Sequence, residues 1–253
     1  MGALHEGHGA LIRCAQKEND ICIVSIFVNP AQFGPKEDFK RYPRTLEKDK
    51  GFLKRMKVDV LFLPSAKEMY PQGFESTVET GQLGRVLCGR SRPGHFNAVA
   101  TVVIKLLNIV EPRTMVLGQK DAQQVIILKR IVADFDFKTR IRICPTERNT
   151  LGLALSSRNR YLNGRERLEA LVLYRSLKEA SARIKGKERS AQKITDGIRA
   201  LIQRHTHGTI DYIACVDAAT LQPLTMIKGR VMLALAVRFG KARLIDNMIV
   251  NAA

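Results

Sequence analysis

Continuous apolar runs alternate with amphipathic stretches through the first half of the chain. The run at 20–28 is rich in β-branched residues and predicts a strand buried on both faces, as in a parallel sheet. Further strands are predicted at 58–63, 114–117 and 138–144, and helices at about 10–17, 45–56, 97–109 and 121–132. Strands and helices that alternate at this spacing predict an α/β fold with a doubly wound parallel sheet.

The pattern changes after about residue 147. An apolar stripe at helical spacing is formed by Leu173, Leu177, Ala180 and Ile184, and 192–202 is a second amphipathic helix. Short strands are predicted at 210–217, 230–237 and 242–245. We therefore predict two domains: an α/β domain at 1–147 and a smaller C-terminal α+β domain at 148–253.

Composition narrows the class of protein. The 253 residues are 45% hydrophobic, enough for real cores, and no apolar run reaches transmembrane length. The five cysteines are widely spaced without a C-x-x-C pair, which favours buried, reduced thiols over disulfides or zinc. No signal-peptide pattern is present, so we expect a cytoplasmic protein without a membrane partner.

The net charge of +18 is compatible with nucleic acid, an acidic surface or anionic small substrates. Much of the charge lies at 158–204, interleaved with Glu and Ser rather than with aromatic residues. That arrangement is typical of a solvated helix face. We expect no specific nucleic-acid partner, and a basic RNA-binding protein without catalysis is the alternative.

The segment Leu4–His8 carries an H-x-G-H pattern where a helix should begin. His5 and His8 would share one face at the positive end of that helix, where backbone N–H groups favour anions. Gly7 leaves room for a nucleotide. This pattern suits attack on the α-phosphate of a nucleoside triphosphate, since fixed donors stabilise the departing pyrophosphate. An ordinary loop is the alternative.

Four further segments carry candidate chemistry. Neutral amides at Asn29 and Gln32 follow the first strand and suit a substrate with hydroxyls and a carboxylate, although a plain turn has the same composition. In 118–124, Lys120 could bind phosphate, and Asp121 could cap a helix or bind a ribose hydroxyl. In 155–159, the planar guanidinium of Arg158 could bind two phosphate oxygens. The fourth segment, 88–96, contains Arg90, Arg92 and His95. Taken singly, each also fits a capped or solvated surface loop.

Taken together, these segments resemble the pantothenate synthetase (pantoate–β-alanine ligase) family of the HIGH-motif nucleotidyltransferase superfamily. The resemblance covers nearly the whole chain, in blocks of one order and spacing: 1–8 (MGALHEGH), 24–33 (VSIFVNPAQF), 41–49 (RYPRTLEKD), 92–96 (RPGHF), 118–124 (GQKDAQQ), 155–161 (LSSRNRY) and 243–247 (RLIDN).

The resemblance implies a Rossmann-like domain with a C-terminal lid domain, a homodimer, and synthesis of pantothenate from pantoate, β-alanine and ATP with Mg²⁺. Pantoyl adenylate would be the intermediate; a nucleotidyltransferase of another substrate is the enzymatic alternative. The implied catalytic residues are His5, His8, Lys120 and Arg158. Gln32, Gln124 and Asn29 would bind pantoate or β-alanine, and Asp49 is a possible metal ligand. The implied ATP-binding residues are Met1, Gly2, Ala3, Leu4, His5, Glu6, Gly7, His8, Gly118, Gln119, Lys120, Asp121, Glu147, Leu155, Ser156, Ser157 and Arg158.

The chain departs from the family pattern at a few positions. Glu147 stands where an apolar residue is expected near adenine, Leu155 replaces a usual Met, and Ala98 replaces a usual Gly. The family also has a strand before the position of Met1. We therefore expect the sheet to lack its first strand and the natural start to lie upstream.

Overall fold

A computed structural model describes residues 2–35 and 37–252. Met1, which the resemblance places in the ATP site, lies outside the described residues. Contacts divide the chain into two compact units. The first comprises Met1–Gln119 and Gln123–Pro145, and the second comprises Lys120–Ala122 and Thr146–Ala253.

The first unit is built from parallel strands and helices. Its strands are β1 (Ile23–Ser25), β2 (Val60–Phe62), β3 (Thr114–Gly118) and β4 (Arg140–Cys144). Its helices are α1 (Glu6–Glu18), α2 (Leu46–Arg55), α3 (Ala66–Met69), α4 (Cys88–Ser91), α5 (His95–Val110) and α6 (Ala122–Asp134, whose first residue groups with the second unit). Short 3-10 turns lie at Pro30–Gln32, Gly81–Gly84 and Gln119–Asp121.

The predicted parallel α/β character is confirmed. Within the described residues, β1 pairs with β2 and β3 pairs with β4, both in parallel, as two separate ladders. The apolar run at 20–28 yields only a three-residue strand, and the prediction that it is buried on both faces is wrong, because Val24 is buried while Ile23 is 41% exposed. The Rossmann-like winding stays a prediction.

The buried residues explain how α1 is held in this unit. Leu4 and Ile12 join Cys22, Val24 and Ile26 in one apolar cluster, so the loop before α1 and the helix itself pack on the β1 region. The helix also packs on β3, where an added Cβ at Gly118 would lie 3.7 Å from a methyl carbon of Leu11. Apolar burial therefore fixes the helix that carries both candidate histidines.

The second unit is an antiparallel α+β structure, as predicted. It contains a 3-10 turn at Ser157–Tyr161, helices α7 (Gly164–Glu169), α8 (Val172–Lys185) and α9 (Ala191–His205), and strands β5 (Thr209–Asp217), β6 (Gly229–Phe239) and β7 (Ala242–Ala252) in the order β5-β6-β7. The predicted stripe on α8 joins Ile194, Ile198 and Ile202 of α9 in the core. Strand β7 runs seven residues beyond the predicted end at 245, through the buried polar residues Asp246 and Asn247.

The five cysteines are thiols without a disulfide bond; Cys22, Cys88, Cys144 and Cys215 are buried, and Cys14 is partly exposed. Burial raises the pKa of the Cys215 thiol to about 11, which keeps it protonated. Among the described helices, none combines the length and apolar character that a membrane crossing requires.

Candidate functional site

The N-terminus of α1 is closed by a reciprocal pair of histidine contacts. His5 is the N-cap, and its Nδ1 accepts a hydrogen bond from the backbone N–H of Gly7 at 3.1 Å. In return, Nδ1 of His8 accepts from the backbone N–H of His5 at 3.2 Å. The helix thus begins at Glu6, about four residues earlier than predicted, because the two imidazoles cap it in the manner of a capping box.

These contacts fix the tautomer of both rings. A backbone N–H can only donate, so each Nδ1 is unprotonated and each neutral ring carries its hydrogen on Nε2. The ring centroids lie 4.1 Å apart. Two Nε2–H donors therefore sit side by side at the positive end of a 13-residue helix, as the H-x-G-H pattern predicted.

Asp49 of α2 holds the loop that leads into this helix. Its two carboxylate oxygens accept hydrogen bonds from the backbone N–H groups of Ala3 and Leu4, both at 2.8 Å, and Oδ1 also accepts from the Thr45 hydroxyl at 3.0 Å. Asp49 is 3% exposed. These contacts give both oxygens protein partners, so Asp49 acts as an anchor for residues 3–5.

Asn29 and Gln32 lie together in the 3-10 turn after β1. Asn29 is buried; its Oδ1 accepts from the Tyr70 hydroxyl at 2.8 Å and from the N–H of Ala31 at 3.2 Å. Its Nδ2 donates to the carbonyl of Ala98 at 3.3 Å and to Oε1 of Gln32 at 3.4 Å. Since position 98 contributes only its carbonyl here, the Ala98 departure leaves this contact intact. Asn29 thus orients Gln32.

The same turn is held from its other side by Arg92 and His95. Arg92 forms a two-point ion pair with Glu37, including Nη2 to Oε2 at 2.7 Å, and donates Nη1 to Nε2 of His95 at 2.8 Å. His95 Nδ1 then donates to the Gln32 carbonyl at 2.9 Å. Burial raises the pKa of Glu37, but the hydrogen bond and charge of Arg92 outweigh it and lower that pKa overall. Arg92 is therefore paired with a carboxylate and supports the 3-10 turn at Pro30–Gln32.

The segment 118–124 is divided between the two units. Gly118 is the last residue of β3 and pairs with Cys144 of β4. Gly118, Gln119 and the half-buried Gln124, which lies near the start of α6, belong to the first unit. Lys120 and Asp121 group with the second unit, and the Lys120 ammonium lies 3.3 Å from Oδ1 of Asp121.

In the second unit, the residues expected around ATP form two consecutive local structures. Residues 147–155 make a small hairpin in which the N–H of Leu155 donates to the carbonyl of Glu147 at 2.9 Å. Ser156 then caps the 3-10 turn, with its Oγ accepting from the N–H of Arg158 at 3.3 Å, and Ser157 is 7% exposed. Glu147 itself is solvent-exposed, so its charge is hydrated.

The comparison with known proteins identifies the family. A family model described as pantoate-beta-alanine ligase matches residues 1–249. The chain belongs to the pantoate–β-alanine ligase family. Its relatives include the pantothenate synthetases of Acetivibrio thermocellus, 52% identical over 251 residues, and of Thermosipho africanus, 51% identical over 250 residues. Each alignment covers 99% of this chain, and 89% and 90% of the respective relative.

Solved structures of ligases from this family have the same fold. The pantothenate synthetase of Thermus thermophilus matches with a TM-score of 0.94 at 43% identity, covering 98% of this chain and 90% of that one. A pantoate-beta-alanine ligase of Francisella tularensis, complexed with beta-gamma ATP and beta-alanine, matches with a TM-score of 0.79 at 40% identity, covering 98% and 87%.

Sequence reasoning missed the residues that support the site of this ligase. Glu37, Tyr70 and Gln123 are examples: Gln123 is buried, accepts from the N–H of Cys88 at 3.0 Å and donates to the carbonyls of Leu83 and Val86. No local pattern marks such a role for Gln123, because its partners lie 35 to 40 residues away in the chain. No group of three or more His, Cys, Asp or Glu residues suited to a metal ion occurs in the described part of the chain.

Proposed function

We propose that this chain condenses pantoate with β-alanine at the expense of ATP, giving pantothenate, AMP and pyrophosphate. The observation that carries the proposal is the His5–His8 cap on α1 in a chain that belongs to the pantoate–β-alanine ligase family. The Francisella tularensis relative, complexed with beta-gamma ATP and beta-alanine, supports the choice of substrates.

The first step would form pantoyl adenylate. A pantoate carboxylate oxygen attacks the α-phosphorus of ATP, and the bond from that phosphorus to the bridging oxygen breaks as pyrophosphate leaves. The N-terminus of α1 and the Nε2–H groups of His5 and His8 would stabilise the charge that develops on the phosphates, with His8 as proton donor. No side chain becomes a covalent nucleophile in this scheme.

The second step would transfer the pantoyl group. The β-alanine amine attacks the acyl carbon, the acyl–phosphate bond breaks, AMP leaves, and the amine loses a proton. Gln32 and Gln124 would hold the pantoyl group, because neutral amides both donate and accept hydrogen bonds. The contacts from Asn29, Arg92 and His95 support this role for Gln32 by limiting its freedom before substrate binds.

Lys120 and the loop at Leu155–Arg158 would bind the phosphates of ATP. Lys120 provides a compact charge and Arg158 a planar fork, which suits phosphate oxygens. Mg²⁺ would enter with ATP, since it is usually held by substrate phosphates and water with one or two carboxylates. Both oxygens of Asp49 already accept hydrogen bonds from the protein, so Asp121 is the alternative acidic residue for this role.

Product analysis tests the proposal directly. Purified protein is incubated with ATP, Mg²⁺ and pantoate, with and without β-alanine, and AMP, pyrophosphate and pantothenate are quantified. We expect AMP and pantothenate in equal amounts only when β-alanine is present. Pyrophosphate release without any AMP when β-alanine is present would instead indicate a nucleotidyltransferase that leaves the nucleotide on its product, and absence of turnover would refute the assignment.

The remaining expectations stay predictions. They are a homodimer, a cytoplasmic location, and a division into a nucleotide- and pantoate-binding domain at 1–147 and a lid domain at 148–253.

A further inference from the structure

Asp246 and Asn247 are adjacent polar residues near the middle of β7, and both are buried. Their exposed fractions are 3% and 6%. Burying a carboxylate or an amide is costly unless it is hydrogen-bonded. The partners of this pair therefore indicate what it does in the fold.

Asp246 fixes the hairpin at 147–155. Its carboxylate receives a parallel fork from Arg148, with Nη1 to Oδ2 at 2.6 Å and Nη2 to Oδ1 at 2.8 Å. The same guanidinium donates to the carbonyl of Gly152 at 3.1 Å and lies 3.8 Å from the centroid of the Tyr174 ring. The hairpin is closed by a bridge between Arg148 and Ala154, so its end, where the Ser156 turn begins, is held in place.

Asn247 fixes the segment Lys120–Ala122, called here the Lys120 segment. Its Nδ2 donates to the backbone carbonyl of Lys120 at 2.9 Å, and its own N–H donates to Oδ1 of Asp246 at 2.8 Å. Successive side chains on a strand point to opposite faces, so two neighbouring residues can reach two separate segments. Oδ1 of Asp246 accepts hydrogen bonds both from Nη2 of Arg148 and from the N–H of Asn247, so the contacts that hold the hairpin are linked to the contact that holds Lys120.

We propose that Asp246 and Asn247 are positioning residues that hold the Lys120 segment and the 147–155 hairpin in one fixed arrangement for ATP. The proposal rests on the proposed function, in which Lys120 and Leu155–Arg158 bind the phosphates. Neither residue of the pair touches the substrate; each acts through the segment that it holds. All of these residues belong to the second compact unit.

Kinetics of three variants test the positioning role. Asn247→Leu keeps the branched shape and removes the donor to Lys120 without burying a charge, and Asp246→Asn removes the charge that Arg148 requires. Asn251→Leu, at an exposed position of the same strand, is the matched control. We expect the KM for ATP to rise roughly five- to tenfold in the first two variants, as for one lost hydrogen bond. The KM for pantoate should stay within about twofold, because a local defect in the ATP-binding segments does not weaken the binding of both substrates equally.

An equal rise in both KM values, or an unchanged KM for ATP, overturns the proposal. Asp246→Asn leaves the Arg148 charge without its counter-ion and can lower the yield of folded protein. The kinetic decision therefore rests on Asn247→Leu.

Hydrogen exchange tests the link between the segments without any assay of activity. We expect Asn247→Leu and Asp246→Asn each to raise amide exchange at 120–122 and at 147–155 together, roughly fivefold or more, and Asn251→Leu to raise neither. Exchange that rises only in the segment bonded to the altered residue overturns the link. A wild-type chain with no turnover would refute the proposed function, while the exchange pattern would still decide this proposal.

Discussion

Replacing Asp49 by Asn should separate the folding of this protein from its catalysis. The carboxylate accepts from the N–H groups of Ala3 and Leu4, and it is almost fully buried. An amide of the same shape keeps one acceptor but points its NH₂ group at a backbone donor. At least one hydrogen bond to a charged group is lost, which costs about 1.5–3 kcal/mol.

The backbone at this point makes the loss more severe. Ala3 has a φ of 50°, in the left-handed region that costs a non-glycine residue roughly 1–2 kcal/mol. The Asp49 contacts oppose that strain. Without them we expect residues 3–5 to relax and move the His5–His8 cap. A displacement near 1 Å at reacting groups lowers the rate on the order of 10²-fold.

The assay is pyrophosphate release with ATP and saturating pantoate, together with thermal unfolding. Asp49→Asn should remain folded with a lower Tm and a kcat reduced about 10²-fold. Glu47→Gln is the control, because Glu47 lies on the same helix with its side chain 82% exposed; it should leave both values unchanged. A folded Asp49→Asn protein with the wild-type kcat would refute the positioning argument.

Three further predictions concern the catalytic groups and the core. His8→Ala should lower pyrophosphate release on the order of 10²–10³-fold while circular dichroism stays unchanged, and an unaltered rate would remove His8 from catalysis. Gln32→Ala and Gln124→Ala should weaken pantoate use more than ATP binding; titrations showing the reverse would mean that the two subsites are exchanged. Ile198→Ala, at 1% exposure, should reduce the free energy of unfolding by about 2–5 kcal/mol in urea, with exposed Arg199→Ala as control, and a loss below about 1 kcal/mol would contradict the described core.

The helices could be predicted more fully than the strands. The stripe from Leu173 to Ile184 is periodic over three turns and locates α8 within one residue at each end. The run at 20–28 has strong strand character, yet only Ile23–Ser25 pairs. A ladder requires a partner of equal length, and the sequence of one strand does not state how long its partner is.

The candidate site shows the same division between local and distant information. The H-x-G-H pattern placed both histidines at a helix N-terminus because a capping box is complete within four residues. The contacts of Arg92 could not be predicted, since its carboxylate partner, Glu37, is 55 residues away in the chain.

By itself, the sequence determined the two kinds of architecture, the helix faces and the segments that carry the chemistry, because each depends on residues close together in the chain. Only the tertiary structure decided which buried polar and charged groups meet. Asp49 is 46 residues from Ala3, Asp246 is 98 from Arg148, and Asn247 is 127 from Lys120. The chain has 42 lysines and arginines, so the sequence offers each carboxylate many possible basic partners. The fold selects one of them by bringing it within hydrogen-bond distance and away from water, as it does for Arg148 and Asp246 at 2.6 Å.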